Sequence, residues 1–359
     1  MIQRRILWAV SATIISALIG CNSAHTAVPQ LPTTDVHASA TNPGMSINDT
    51  HNANFNPSTL GSLLSGHLYV ADAAGVQRFA IINGKPSGLP ITYTGVTAPI
   101  ALDSKNHLYA TSGLTVFVYG ATSTRPIRSV HVVDTTVTIL SHIGAVAVDQ
   151  FGHLYLTIGV RYCRPASAGC PIGFAKAVYV YAANATGNAI PLRHYLIDGC
   201  PTDIGCFIVT SHDQGGLVLD KAGELLVASV ERLPVIYAFS SPETRAINVR
   251  SLTGSGVVNP GGLAVDALDE LYVDNNPSGS APFIAAYPAT ASGRLTPGRE
   301  IFVRGAKSFG SGMATSASLM FIPDPLANVV YEVNPAKSGL QSPIATLSVK
   351  APTDVKIGP

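Results

Sequence analysis

Charge is scarce in this sequence. Asp, Glu, Lys and Arg together make up 12% of its 359 residues, and the formal net charge is +1. No basic stripe runs along it, which removes the electrostatic footprint of a nucleic-acid binder, and no block of like charge or acidic tail appears. No stretch sustains a helical period. Also missing are a Ser-His-Asp order, a phosphate-binding loop and a zinc-protease helix, so the common hydrolase and nucleotide-enzyme signatures do not apply. What remains is 33 Gly, 25 Pro and many short apolar runs crowded with β-branched residues. That mixture predicts an all-β chain of short strands joined by tight turns.

The N-terminus reads as a targeting segment. Arg4 and Arg5 form a basic start, and Ile6 to Ile19 is an apolar run of signal-peptide length, short for a membrane span. It ends in Leu18-Ile19-Gly20-Cys21, which resembles the bacterial lipobox. The resemblance implies removal of residues 1–20, a diacylglyceryl thioether on Cys21 and a further acyl chain, such as palmitate, on the new amine. Several acyl chains at roughly 0.8 kcal/mol per buried methylene make a durable anchor. The rival reading is an ordinary secretory signal with an incidental Cys. Residues 21–58 are polar, rich in Ser, Thr, Asn and Pro and without period, and are expected to form a flexible tether. The expected location is the cell envelope, outside the cytoplasm, with the membrane touched only through the lipid.

Residues 59–359 repeat themselves. Leu-Tyr or a variant recurs at Leu68-Tyr69, Leu108-Tyr109, Leu154-Tyr155, Leu225-Leu226, Leu271-Tyr272 and Leu319-Met320, in steps of 40, 46, 71, 46 and 48 residues. Each unit holds an apolar run such as Gly262-Leu-Ala-Val-Asp266, a turn, a second run such as Glu270-Leu-Tyr-Val-Asp274, and two more. Four strands per unit of about 46 residues is the pattern of a propeller blade. One blade cannot cover its own apolar faces, whereas six in a ring cover one another. Asn259–Asn275, "NPGGLAVDALDELYVDN", resembles the NHL repeat, as do the copies at 97, 143 and 215. The resemblance implies a six-bladed β-propeller and is silent on activity, because this fold hosts unrelated functions.

Asp103, Asp149, Asp220 and Asp266 recur at the end of the first strand. They read as turn residues whose carboxylates take turn N–H groups, not as a ring of metal ligands. His107 and His153 lie in these turns and are expected to be solvated. Blade 1 lacks a good first strand, and Ala351–Ile357 aligns with one, so the C-terminus is expected to supply it; the rival is Ser58–Leu64.

The long third step holds Cys163, Cys170, Cys200 and Cys206. An even number in an exported domain predicts disulfides. Local pairing, Cys163 with Cys170 and Cys200 with Cys206, is favoured over cross-pairing, which stays open. Both loops rise on the face opposite the Asp turns, beside the channel mouth. Polar residues expected on that mouth face are Asp72, His142, His212, Asp213, Glu231, Asp274 and Asn275, with Thr97, Asn259 and Asn276 nearby. Carboxylate, amide and imidazole groups there could hold a sugar, a peptide or a Ca²⁺ ion. Six-bladed relatives include gluconolactonase-like metalloenzymes, but this set does not reproduce their order of acids. The reading is a monomeric binding or scaffold module for an envelope protein, peptide or glycan, with no assigned cofactor. The alternative is a divalent-metal-dependent hydrolase or lyase.

Overall fold

The computed structural model describes residues 66–134, 139–162, 173–198, 216–230, 234–240, 242–244, 246–316 and 318–358. Cys21, the four other cysteines, the signal and the tether lie outside them, as do His212, Asp213 and Glu231. The described residues form six small antiparallel sheets in a ring, a six-bladed β-propeller, with no helix among them.

Blades 2 to 6 take their four strands in chain order. Blade 2 is Thr97–Leu102, Leu108–Ser112, Thr115–Tyr119 and Pro126–His131. Blade 3 is Ile139–Val148, Leu154–Tyr162, Gly173–Tyr181 and Arg193–Asp198. Blade 4 is Leu217–Leu219, Leu225–Ser229, Val235–Ser240 and Ile247–Thr253. Blade 5 is Pro260–Val265, Glu270–Asn275, Phe283–Pro288 and Arg299–Val303. Blade 6 is Ala314–Thr315, Met320–Asp324, Val329–Val333 and Ala345–Ser348. Blade 1 is the exception. Its outer three strands are Gly66–Asp72, Gly75–Ile82 and Lys85–Tyr93, and its innermost is the C-terminal Asp354–Gly358, with Leu68 opposite Ile357 and Val70 opposite Val355. The C-terminal strand closes the ring, as the alignment of residues 351–357 predicts.

Apolar residues on successive positions of the second strands are buried on both faces because each blade is sandwiched between two others. Six separate apolar clusters sit between neighbouring blades and complete the circle. At the seam, Leu68, Val70 and Phe79 of blade 1 meet Leu319, Phe321 and Val330 of blade 6. These clusters correct the sixth repeat. The first residue of each Leu-Tyr pair faces the preceding blade and the second the following one: Leu271 packs toward blade 4 and Tyr272 toward blade 6. In blade 6 it is Met320 that packs toward blade 5 and Phe321 toward blade 1, so the equivalent pair is Met320-Phe321, not Leu319-Met320. A one-residue slip exchanges the faces of a strand, and burial decides the register.

Three blades are also clasped from outside. The connection before the fourth strand of one blade lays a short parallel segment against the outer strand of the blade before it. Gly187 bridges Val130, Gly293–Arg294 pair with Leu252–Thr253, and Gly339–Gln341 pair with Ile301–Val303. Each clasp starts at a glycine with left-handed φ (62°, 79° and 80°). Among the described residues none clasps the outer strand of blade 1, which carries Lys85, Pro86, Pro90 and a register break, features that deter pairing at an exposed edge.

Candidate functional site

The turn face comes from the Asp repeat. Asp266 Oδ1 accepts the backbone N–H groups of Leu268 (2.8 Å) and Glu270 (2.9 Å), and Oδ2 accepts the Tyr272 hydroxyl at 3.1 Å. Asp149 does the same with Phe151 and His153 N–H and Tyr155 OH, and Asp103 with Lys105 and His107 N–H and Tyr109 OH. The turn reading of these aspartates is what the geometry shows. Burial, reinforced by these carboxylates, pushes the Tyr155 and Tyr272 hydroxyls far above the usual phenol range, which fixes them as donors. His107 and His153 are not the solvated side chains expected. Each is half-buried, with Nδ1 at 2.8 Å from Oδ2 of Asp103 or Asp149, because the ring folds back over its own turn to reach that oxygen.

The mouth face is irregular. The inner strands of blades 2, 3 and 5 all break register there. In blade 3 Leu140 pairs with Val160 and Ile143 with Ile158, so Ser141 and His142 stand opposite Gly159 alone. Such a bulge re-aims a side chain, here that of His142. The second and third strands of blade 3 are nine residues each, against five in blade 2, so this blade stands proud of its neighbour by about four residues, roughly 13 Å at 3.3 Å per residue. The connection that carries Cys163 and Cys170 follows from these raised strands.

Blades 1, 2, 3 and 6 enclose a cavity of about 440 Å³ at the mouth. Asp72 and His142, two of the residues expected on this face, both line it, with Thr97, Thr111, Ser311 and Thr353 supplying hydroxyls. None of the described residues lining it is Lys or Arg. Asp72 is preorganised: Oδ1 takes the N–H groups of Ala74 (2.7 Å) and Gly75 (3.0 Å), and Oδ2 is met by the Gln77 amide. The Thr111 hydroxyl donates to the Ala98 carbonyl at 2.8 Å and pins the blade 2 bulge. The Thr353 N–H donates to the Ala71 carbonyl at 2.8 Å, which ties the C-terminal strand to the rim.

Asp274 and Asn275 lie in blade 5, buried, and do not line this cavity. Asn275 accepts from Val258 N–H at 2.9 Å and donates to the Gly256 carbonyl at 2.9 Å, holding the entrance loop of its blade. Asn259 and Asn276 are likewise bound to each other, Nδ2 to carbonyl at 2.8 Å. Asp274 Oδ1 accepts from Gly261 N–H at 2.9 Å, while Oδ2 has no hydrogen-bond partner among the described residues. Burial pushes its carboxyl up to about 7; the amides of Gly262 and Gly261 oppose the shift and the Asp354 charge adds to it. Gly262 comes close to Oδ2 without hydrogen-bond geometry, and a Cβ there would stand 2.6 Å from that oxygen, which explains the glycine at 262. Among the described residues no group of three or more His, Cys, Asp or Glu is placed to hold a metal ion.

Thr111, Ser311 and Thr353 were not singled out by sequence. One signal was present for Thr111: the fourth position of the Leu-Tyr run, otherwise apolar, is polar in blades 2, 3 and 5, as Thr111, Thr157 and Asp274. All three are buried.

No protein-family model matches the chain, and no curated protein matches it. Solved structures do. A chain of a nidogen/laminin complex superposes with TM-score 0.56 at 14% identity, covering 81% of this chain and 97% of that one. A putative 6-phosphogluconolactonase from Bacteroides fragilis gives 0.52 at 12% identity, covering 82% and 98%. The periplasmic gluconolactonase PpgL of Pseudomonas aeruginosa gives 0.50 at 12% identity, covering 82% and 99%. At such identities the likeness is one of fold alone.

Proposed function

We propose that this chain is an extracytoplasmic, lipid-tethered propeller of the NHL-repeat kind that binds an envelope ligand in its mouth cavity, and that the ligand is an uncharged, hydroxyl-rich molecule such as a glycan. The observation that carries this reading is the lining of the 440 Å³ cavity. It offers one fixed carboxylate, one imidazole and four hydroxyl oxygens whose protons go to backbone carbonyls, a set rich in acceptors for sugar hydroxyls, in a volume within the usual range for small-molecule sites. Its described lining has no Lys or Arg to pair with the charge of a phosphorylated sugar. The fold does not choose the function, since chains of similar fold occur in a nidogen/laminin complex and in a periplasmic gluconolactonase.

The test is equilibrium binding of the full chain to neutral and phosphorylated saccharides. Binding of the neutral probe alone, weakened about tenfold or more in His142→Ala, supports the site. Preference for the phosphorylated probe, or an unchanged affinity in His142→Ala, removes it. The tether is checked separately: Cys21→Ser should move the protein from the membrane to the soluble fraction.

A second reading, a divalent-metal-dependent hydrolase, rests on Asp274, whose buried Oδ2 has an open acceptor site. It requires a Ca²⁺-induced rise in melting temperature that disappears in Asp274→Ala.

A further inference from the structure

The turn face holds a second cavity, of about 340 Å³, between blades 2 and 3. Its floor is the Asp103 network. Asp103 Oδ2 is occupied by His107 Nδ1 at 2.8 Å and by Tyr109 OH at 3.3 Å. Arg128 lies over the Tyr109 ring, 5.8 Å from its centroid, and donates to Tyr109 Oη (3.1 Å) and to the Ala185 carbonyl (2.8 Å). A guanidinium has five N–H donors. The rest have no partner among the described residues, and no carboxylate there lies within ion-pair distance of Arg128.

The counterparts of Arg128 in blades 4 and 5 are neutralised. In blade 4 Arg250 pairs with Glu224 at 2.5 Å and Asp220 at 3.3 Å. In blade 5 Arg299 pairs with Glu270. The residue four after the turn Asp is Glu in both, but His107 in blade 2. Between blades 4 and 5, Lys221 also reaches across the cleft: its ammonium binds the Ala267 carbonyl and its N–H donates to Asp269 at 3.2 Å. Between blades 2 and 3 Lys105 is exposed and makes no such bridge, so the cleft stays open. Its far wall is Phe151, 72% exposed, with the exposed amides of Gln150 and Asn184.

We infer that this cleft is a binding site for a saccharide that carries a carboxylate, such as a uronic acid. The carboxylate supplies Arg128 with the acid that Glu224 and Glu270 give to its counterparts, and a charge-assisted fork is the strong form of that contact. Phe151 offers a flat apolar face to a sugar ring, and Gln150, Asn184 and the bare Nε2 of His107 meet its hydroxyls. The two sites are independent: one is at the mouth and lacks cations among its described lining, the other is on the turn face and is built around one.

Titration calorimetry of the full chain with digalacturonate and with neutral galactobiose tests this. The expected result is binding of digalacturonate at least about tenfold tighter than galactobiose, weakened about tenfold by Phe151→Ala and less by Lys105→Ala, and unchanged by His142→Ala. Phe151 and Lys105 are exposed, so neither change threatens folding. Equal affinity for the two sugars, no effect of Phe151→Ala, displacement by inorganic phosphate at the same concentration as by digalacturonate, or loss of binding in His142→Ala would each overturn the assignment.

Discussion

The two faces of this wheel treat their acids in opposite ways. On the turn face the repeated aspartates are engaged locally: two N–H groups and a tyrosine hydroxyl converge on Asp103, Asp149 and Asp266, and Asp220 takes the Glu224 N–H and Arg250. On the mouth face the acids serve different ends. Asp72 and Asp324 cap local turns, Asp354 takes the Ile100 N–H across two blades at 2.8 Å, and Asp274 keeps one buried oxygen without a partner among the described residues. The recurring acids build the repeat; of those that break its regularity, Asp72 lines the mouth cavity and the other three are buried beside it or in blades 5 and 6. Places where local rules fail are where function is expected to concentrate.

That contrast can be pressed from several sides. The largest effect is expected from deleting residues 351–359. This leaves every turn aspartate in place but removes the inner strand of blade 1, Thr353 and Asp354, and exposes the Leu68–Val70 edge. The melting temperature should fall by more than about 10 °C, consistent with losing several kcal/mol; an unchanged value would mean that the turn units hold the ring without its seam. Next, Asp266→Ala should cost about 2–3 kcal/mol in urea unfolding, because two backbone donors lose their acceptor and the Tyr272 hydroxyl keeps only Glu270.

Asp274→Asn should act in the other direction. A carboxyl whose folded value is about 7 binds its proton more tightly in the fold than in the unfolded chain, where the value is about 3.9. The wild type therefore loses stability as pH rises between those values, by up to about 1.4 kcal/mol per pH unit, and the loss levels off above them. The variant should lack that slope and melt higher than the wild type at pH 8. A variant less stable at pH 8, with the slope intact, would show that Asp274 is not the group responsible. The smallest effect is expected for His142→Ala, within about 0.5 kcal/mol of wild-type stability, since the bulge that carries it is fixed by backbone and by Ser141. Its consequence should appear in ligand binding alone.

Legibility followed distance along the chain. The turn aspartates were readable because donor and acceptor lie within six residues, and the ring closure because a missing strand at one end matched a spare one at the other. His142 and Asp72 could be assigned to one face by strand parity, but their sharing a cavity depends on a bulge at Ser141–His142 and on blades 1 and 3 approaching across the axis. Leu319 and Met320 are both apolar, so the repeat alone could not choose between them. The cleft on the turn face was invisible because Arg128 looks like any exposed-strand arginine until Glu224 and Glu270 reveal what His107 replaces.

The sequence by itself determined the number of blades, the hairpin turns and the strand that closes the circle, because periodicity and turn chemistry are local. Only the tertiary structure decided which side chains face a cavity, which charges lack a partner and which clefts stay open. Those properties arise between blades, from residues that are neighbours in space and tens of positions apart in sequence.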